Sequence, residues 1–372
     1  MNKPMQGLDV LLERHLDWLT GRRVGLVAHP ASVDAQGVHA ALRLRACPEV
    51  RLTCLLGPEH GFSGLAAAGI PVEDGAHTDW DLPVFSLYGE TRKPTPEMLE
   101  HLDVLVFDLQ DLPVRCYTYS SSLRLMLEVA SECGKTVVVA DRAAPLAGIL
   151  DGPMLEPELE SFVGLVPTPY CYGLSTGELA RLLVDHYRLD VDLKIAFRSG
   201  PSAGVDARWI PPSPGIKTRQ TALTYPVTVC CEALPALDYG RGHPFVFQVM
   251  AAPWIDGEAL ARDVNRLALP AQHVAPIAYT ASEGLYKNCL VQGIRLEVDE
   301  SPAYRPACAM MHLLRLLTDL YGVDQIWHAE GSRPAFFDQL LGSRQPREAL
   351  LASQTPAQIS AAWEPGLRAF DA

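Results

Sequence analysis

Between residues 22 and 142, four strand-like apolar runs each end in a polar cluster, and a fifth, KTVVVADR, closes on Asp141 and Arg142. RRVGLVAHPASV ends on His29, RLTCLLGPEHGFSG on Glu59 and His60, LPVFSLYGE on Tyr88, and DVLVFDLQDLPVRCYTY on Asp108, Gln110 and Asp111. Near-continuous Val/Leu/Ile runs predict strands buried on both faces, as in a parallel sheet covered by helices. In such a sheet the carboxyl ends share one edge, and ligands bind in the crevice outside it. The pattern gathers carboxylates, histidines and an arginine at one rim.

Helical patterns separate the runs. Residues 36–46, 94–102, 120–134 and 175–189 carry apolar residues at helical spacing, the last opening on Ser175 or Thr176 with Glu178 close behind. VDLKIAFR (191–198) reads as a further strand. This alternation predicts an α/β fold: a Rossmann-like, doubly wound, mostly parallel sheet with right-handed crossovers. Residues 1–200 are assigned to that domain, which carries the catalytic rim. Residues 201–226, rich in Pro, Gly and Ser, read as a connecting loop. Residues 227–372 are expected to form a smaller α+β domain closing the cleft. Its strands are expected at VTVCCEAL, FVFQVMAAPW and LVQGIRLEVDE, with helices near 257–268, 305–320 and 355–370.

A formal charge of −13 speaks against nucleic-acid or anionic-membrane partners, which require a basic footprint. No apolar stretch reaches the roughly 18 residues that span a bilayer. MNKPMQGLDVLLERHLDWL carries Asp9, Glu13, Arg14 and Asp17 among its apolar positions, so an amphipathic helix is expected there rather than a signal peptide. A cytoplasmic location follows as an expectation. Nine cysteines without a C-x-x-C pair are expected to be reduced thiols.

G-x-G-x-x-G, the P-loop, H-E-x-x-H and G-x-S-x-G are all absent, so no nucleotide, zinc-peptidase or serine-hydrolase signature is available. What remains is the acidic rim. GPEHGFSG (57–64) places Glu59 and His60 between glycines that permit close backbone approach, making Glu59 either a general acid or base or a turn carboxylate binding amides. DLQDLPVRCYTYSSS (108–122) packs Asp108, Gln110, Asp111, Arg115, Tyr117 and Tyr119 together, a density suited to sugar recognition or to local pairing. Arg142 and Arg241 are either clamps for an anionic substituent or structural ion pairs. His29, His60 and Asp108 form the one metal-ligand alternative.

In order along the chain, GPEHGFSG, SLYG (86–89), DLQDLPVRCYTY (108–119), DRAAP (141–145), DGPMLEPELESFVG (151–164) and GLSTGELA (173–180) resemble a bacterial family of exo-acting β-N-acetylmuramidases, formerly a domain of unknown function. PPSPGIKT (211–218), GRG (240–242), APW (252–254) and DQLLGS (338–343) extend the resemblance across the second half. The resemblance implies hydrolysis of terminal, non-reducing N-acetylmuramic acid from peptidoglycan fragments. It also implies a Rossmann-like first domain and Glu59 as the leading catalytic residue, with no cofactor and no metal. The chain departs from the family pattern at Tyr172, where His is usual, at Tyr239, where Glu is usual, and at Ala143, Ala144 and Gly215.

On this reading Glu59 protonates the leaving oxygen. Asp111, Asp108 or Glu232 assists from the other side, with Asp111 preferred for its place in the loop. A separation of about 5–5.5 Å would indicate retention and roughly 6.5–9.5 Å inversion. The lactyl carboxylate calls for Arg115, Arg142 or Arg241. His29, His60, Tyr88, Gln110, Tyr119 and Tyr172 complete the expected substrate contacts. The partner is a small sugar, a muropeptide or muramic-acid disaccharide. The alternatives are a muropeptide-binding protein without turnover and a metal-dependent hydrolase.

Overall fold

The computed structural model describes residues 4–77, 79–200 and 209–372; positions 201–208 of the expected connecting loop lie outside the described residues. Among the described residues the strands are β1 (Arg23–Ala28), β2 (Arg51–Gly57), β3 (Gly75–His77), β4 (Leu82–Ser86), β5 (Val104–Asp108) and β6 (Thr136–Ala140). They continue as β7 (Leu150–Met154), β8 (Pro169–Tyr172), β9 (Leu193–Ala196), β10 (Val249–Ala252), β11 (Gln272–Thr280) and β12 (Leu290–Val298). Two compact units form: Met1–Pro113 with Tyr117–Ala147 and Leu174–Pro214, and Val114–Cys116 with Gly148–Gly173 and Gly215–Ala372.

The first unit is built on a seven-stranded sheet of order β3-β4-β2-β1-β5-β6-β9. Its pairings are parallel except for β3 on β4. Every residue of β5 and β6 is buried, which is why VLVFD and TVVVA show no alternation. β1 stands in the middle, and the strand order reverses between β1 and β5. That reversal is the topological switch point where ligands of doubly wound sheets bind. Leu8, Leu11, Leu26, Val104, Val106 and Val138 share one core. The leading helix is shorter than its apolar pattern suggests: Gly7–Arg14 ends where His15 leaves helical backbone, and a 3₁₀ turn, Leu16–Trp18, follows. Helix Thr176–Tyr187 starts on the Ser175/Glu178 capping box.

The second unit carries a smaller antiparallel sheet, β10-β12-β11, and the hairpin β7-β8. Residues 148–173, grouped on sequence with the first domain, pack in this unit, where Arg115 N–H donates to the Tyr170 carbonyl at 2.8 Å. VTVCCEAL is helical, not a strand. It falls in helix Arg219–Thr228 and the 3₁₀ turn Val229–Glu232, buried almost throughout. An apolar run with no polar face fits a buried helix as well as a buried strand, so periodicity could not separate them. Helices Pro306–Tyr321 and Pro356–Asp371 match their apolar patterns. Among the described residues no helix is long and apolar enough to cross a membrane.

Candidate active site

β2 delivers Glu59 through a turn that only its glycines allow. A Cβ on Gly57 would lie 2.4 Å from the Phe62 amide nitrogen, and one on Gly64 would lie 2.8 Å from Pro30 Cγ. His60 takes a left-handed φ of 73°, held by its Nδ1–H donating to the Ala66 carbonyl at 2.8 Å and by Ala66 N–H returning to its own carbonyl. Such backbone is costly for a residue with a Cβ and persists where the surroundings fix it.

The Glu59 side chain is 8% exposed. Oε1 accepts from Gly69 N–H at 2.9 Å, and Oε2 lies 2.6 Å from the Thr118 hydroxyl. The Tyr88 phenol also hydrogen-bonds to Glu59; burial first, and then the Glu59 charge, raise its pKa, so it stays protonated. An amide N–H can only donate, so Oε1 is an acceptor in either protonation state. A proton on Glu59 therefore sits on Oε2, where the Thr118 hydroxyl can rotate to accept it. Gly69 N–H and the Thr118 hydroxyl thus give the two carboxyl oxygens of Glu59 different surroundings.

At the switch point the rim residues pair with one another. Arg142 Nε and Nη2 donate to both Asp108 oxygens, at 2.5 and 3.1 Å, and Nη2 also reaches the Val33 carbonyl at 2.8 Å. Asp108 is fully buried and Arg142 nearly so. This corrects two expectations: both Asp108 oxygens are engaged in a bidentate ion pair, which removes Asp108 as the assisting carboxylate and Arg142 as the lactyl clamp.

His29 is likewise sealed. Its Nε2 accepts from Gln110 N–H at 3.2 Å, which places the ring proton on Nδ1, 3.0 Å from Ser32 Oγ; that hydroxyl in turn donates to the Asp108 carbonyl. Burial, then the Arg142 charge, push its pKa down to about 3. A neutral histidine with both nitrogens committed within the protein positions the Gln110 loop. With Asp108 and His29 so engaged, the His29/His60/Asp108 metal set does not form. Among the described residues no group of three or more His, Cys, Asp or Glu is arranged to hold a metal ion.

Gln110 is half-buried, and its Nε2 donates to the Ala143 carbonyl at 3.0 Å. Asp111 is 5% exposed on the same loop. Burial, with added contributions from the charges of Asp111 and Glu59, raises the pKa of Tyr117 and of Tyr119. Both tyrosines thus lie in the field of both carboxylates. Tyr119, whose hydroxyl donates to the Pro212 carbonyl at 2.7 Å, is almost fully buried and packs edge-on to His29. It is a wall behind the rim rather than a sugar-stacking surface.

The second unit holds the other expected residues. Arg115 is fully buried, donating to the carbonyls of Pro153, Thr168 and Leu341, and burial lowers its pKa to about 10. Its guanidinium joins three chain segments, so it is not a substrate clamp. Tyr172, on β8, is fully buried opposite Leu150 and is part of the core. Glu232 and Arg241 are linked through Tyr239. The Tyr239 hydroxyl donates to Glu232 Oε1 at 3.3 Å and accepts from Arg241 Nε at 2.7 Å, on a cavity of about 170 Å³ that Arg333 also lines. Sequence reading missed Gly69 and Thr118, since a glycine amide and a single hydroxyl carry no motif.

The N-terminal model of exo-β-N-acetylmuramidase NamZ matches residues 24–220, and the C-terminal model matches residues 223–372. The chain belongs to the exo-β-N-acetylmuramidase NamZ family. It is 33% identical over 374 residues to the peptidoglycan β-N-acetylmuramidase NamZ of Bacillus subtilis (strain 168), covering 99% of this chain and 89% of that protein. A crystal structure of a DUF1343 family protein from Bacteroides fragilis NCTC 9343 superposes with a TM-score of 0.89 at 33% identity, covering 99% of this chain and 96% of that one. A second DUF1343 protein from the same strain shares the fold, with a TM-score of 0.78 at 22% identity over 100% and 97% of the two chains. The two NamZ models meet inside the stretch read as a connector.

Proposed function

We propose that the chain is a glycoside hydrolase that releases terminal non-reducing N-acetylmuramic acid from peptidoglycan fragments, with Glu59 as general acid and Asp111 as the assisting carboxylate. The observation that carries this reading is the Glu59 carboxyl itself. It stands at the carboxyl edge of the sheet, fixed by Gly69 N–H, Thr118 and Tyr88, in a chain of the NamZ family. As the bond from C1 to the leaving oxygen lengthens, the proton on Oε2 passes to that oxygen, and positive charge grows on C1 and the ring oxygen. Asp111 meets that charge from the opposite side, as a nucleophile or by deprotonating the incoming water. In the nucleophile route the Glu59 carboxylate regains its proton from the water that cleaves the glycosyl–Asp111 ester; in the base route Asp111 keeps the water's proton and releases it to solvent, from which Glu59 is reprotonated.

A cytoplasmic, recycling role is part of the same reading. Leu8 and Leu11 of helix Gly7–Arg14 belong to the core of the first unit, so this stretch is a structural element of the folded protein. Cell fractionation tests the location.

Incubation with a defined N-acetylmuramyl-N-acetylglucosamine disaccharide tests the activity. Free N-acetylmuramic acid at equimolar yield is expected. Saturable binding without product would instead identify a muropeptide-binding protein.

A further inference from the structure

Two segments that hold Glu59 run on as the walls of a cavity. Gly69, whose N–H donates to Glu59 Oε1 at 2.9 Å, leads into residues 71–74; Tyr88, whose phenol hydrogen-bonds to Glu59, leads into residues 89–91. Val72 N–H joins the walls by donating to the Tyr88 carbonyl at 2.7 Å. Its Cγ1 packs back on the turn of the acid, 3.2 Å from where a Cβ on Gly61 would stand. The space enclosed is about 710 Å³, within the ordinary range for small-ligand sites. Val72 and Met98 line it with apolar surface, and Glu73, Asp74 and Glu90 with carboxylates; no basic side chain is among the described lining residues. Ser86 lines the same cavity although it is only 5% exposed. Its amide donates to Asp74 Oδ1 at 2.6 Å and its hydroxyl accepts from Tyr88 N–H at 3.1 Å, but the hydroxyl proton has no acceptor among the described residues. Buried hydroxyls ordinarily spend their donor, so this one calls for an acceptor brought by a ligand.

We propose that this cavity is the leaving-group subsite of the Glu59 reaction, taking an uncharged sugar ring and rejecting leaving groups that carry a carboxylate. A general acid hands its proton to the leaving oxygen, so the leaving sugar lies against the groups that fix the acid. Sugar hydroxyls both donate and accept: they can donate to the carboxylates and accept from Ser86, while the C–H face of the ring packs on Val72 and Met98. A carboxylate on the same ring would be brought against three like charges, a juxtaposition that suppresses binding. The leaving-group role rests on the proposal that Glu59 is the general acid. The preference of the cavity for one sugar over another does not, so the two are tested apart.

Calorimetry on the full chain measures binding of methyl N-acetyl-β-glucosaminide and of its uronate, which differs only in a carboxylate at C6. The wild-type protein is compared with Glu73→Lys/Glu90→Lys, a change at two exposed positions, and with Ser86→Ala. The wild-type protein is expected to bind the neutral sugar roughly tenfold or more tightly than the uronate. Glu73→Lys/Glu90→Lys should bring the two within about threefold by raising uronate affinity, and Ser86→Ala should weaken the neutral sugar by roughly two- to tenfold. Equal affinities in the wild-type protein, a preference that survives Glu73→Lys/Glu90→Lys, or no measurable binding of either sugar would overturn the site. Turnover of aryl β-N-acetylmuraminides with neutral and carboxylate-bearing aryl groups then tests the link to Glu59. Glu73→Lys/Glu90→Lys should raise kcat/KM for the charged aglycone relative to the neutral one; an unchanged ratio would remove the cavity from the reaction. A chain that cleaves neither substrate would defeat the Glu59 reading, and with it the leaving-group role, while binding would still decide whether the cavity holds a sugar.

Discussion

On the proposed role of Glu59 as general acid, Thr118 is its positioning residue. Its hydroxyl lies 2.6 Å from Oε2 and can both donate and accept, so it can serve the carboxyl in either protonation state. Thr118→Val keeps the shape and removes that partner; kcat on an aryl β-N-acetylmuraminide is expected to fall about tenfold or more with KM little changed, and Thr118→Ser should restore it. The buried Asp108–Arg142 pair predicts a stability effect instead. Replacing either residue alone leaves an uncompensated interior charge, at a cost of about 3–5 kcal/mol in chemical denaturation, whereas replacing both with apolar residues should cost less than the sum. In sequence these two look like site residues, because a carboxylate and an arginine at strand ends read alike whether they face a ligand or each other.

At the scale of elements, the turn after β2 was legible because its glycines announce left-handed backbone, and the parallel strands because they are apolar on both faces. The β7–β8 hairpin was not, since its role depends on Asp151. That carboxylate accepts from Gly152 N–H at 2.9 Å and from Ala307 and Cys308 N–H at 2.7 and 3.1 Å, capping helix Pro306–Tyr321 across a long stretch of chain. Burial outweighs these donors and raises its pKa to about 6 from an ordinary 3.8. A raised pKa means that the folded state holds the proton more tightly, so this group's stabilisation is full below pH 3.8 and is lost as pH rises through 6. Relative to Asp151→Asn, the wild-type protein should therefore gain up to about 3 kcal/mol between pH 7 and pH 4. His29 acts in the other direction. With its folded pKa near 3 against 6.5 when free, the unfolded chain takes up a proton first, and stability falls as pH drops through that window. His29→Gln should remove about one proton of uptake on unfolding near pH 5, measured as a shallower pH dependence of the unfolding free energy.

For the whole molecule, the alternation of strand and helix was enough to give a doubly wound, mostly parallel sheet; its order, with β1 central and Glu59, Tyr88, Asp111 and Arg142 placed after strands on either side of it, comes from the structure. The second unit was harder to read because it is assembled from three separated stretches of chain, and local pattern says nothing of which distant segments join. The proposed hydrolysis depends on the acid at the carboxyl edge of that first sheet. The most direct measurement is the steady-state turnover of Glu59→Gln on an aryl β-N-acetylmuraminide, with folding verified by its thermal transition. With Glu59 as general acid, kcat is expected to fall by roughly 10²–10⁴ at nearly unchanged KM, the contribution of a positioned general acid. Turnover within a few-fold of the wild-type protein would contradict it.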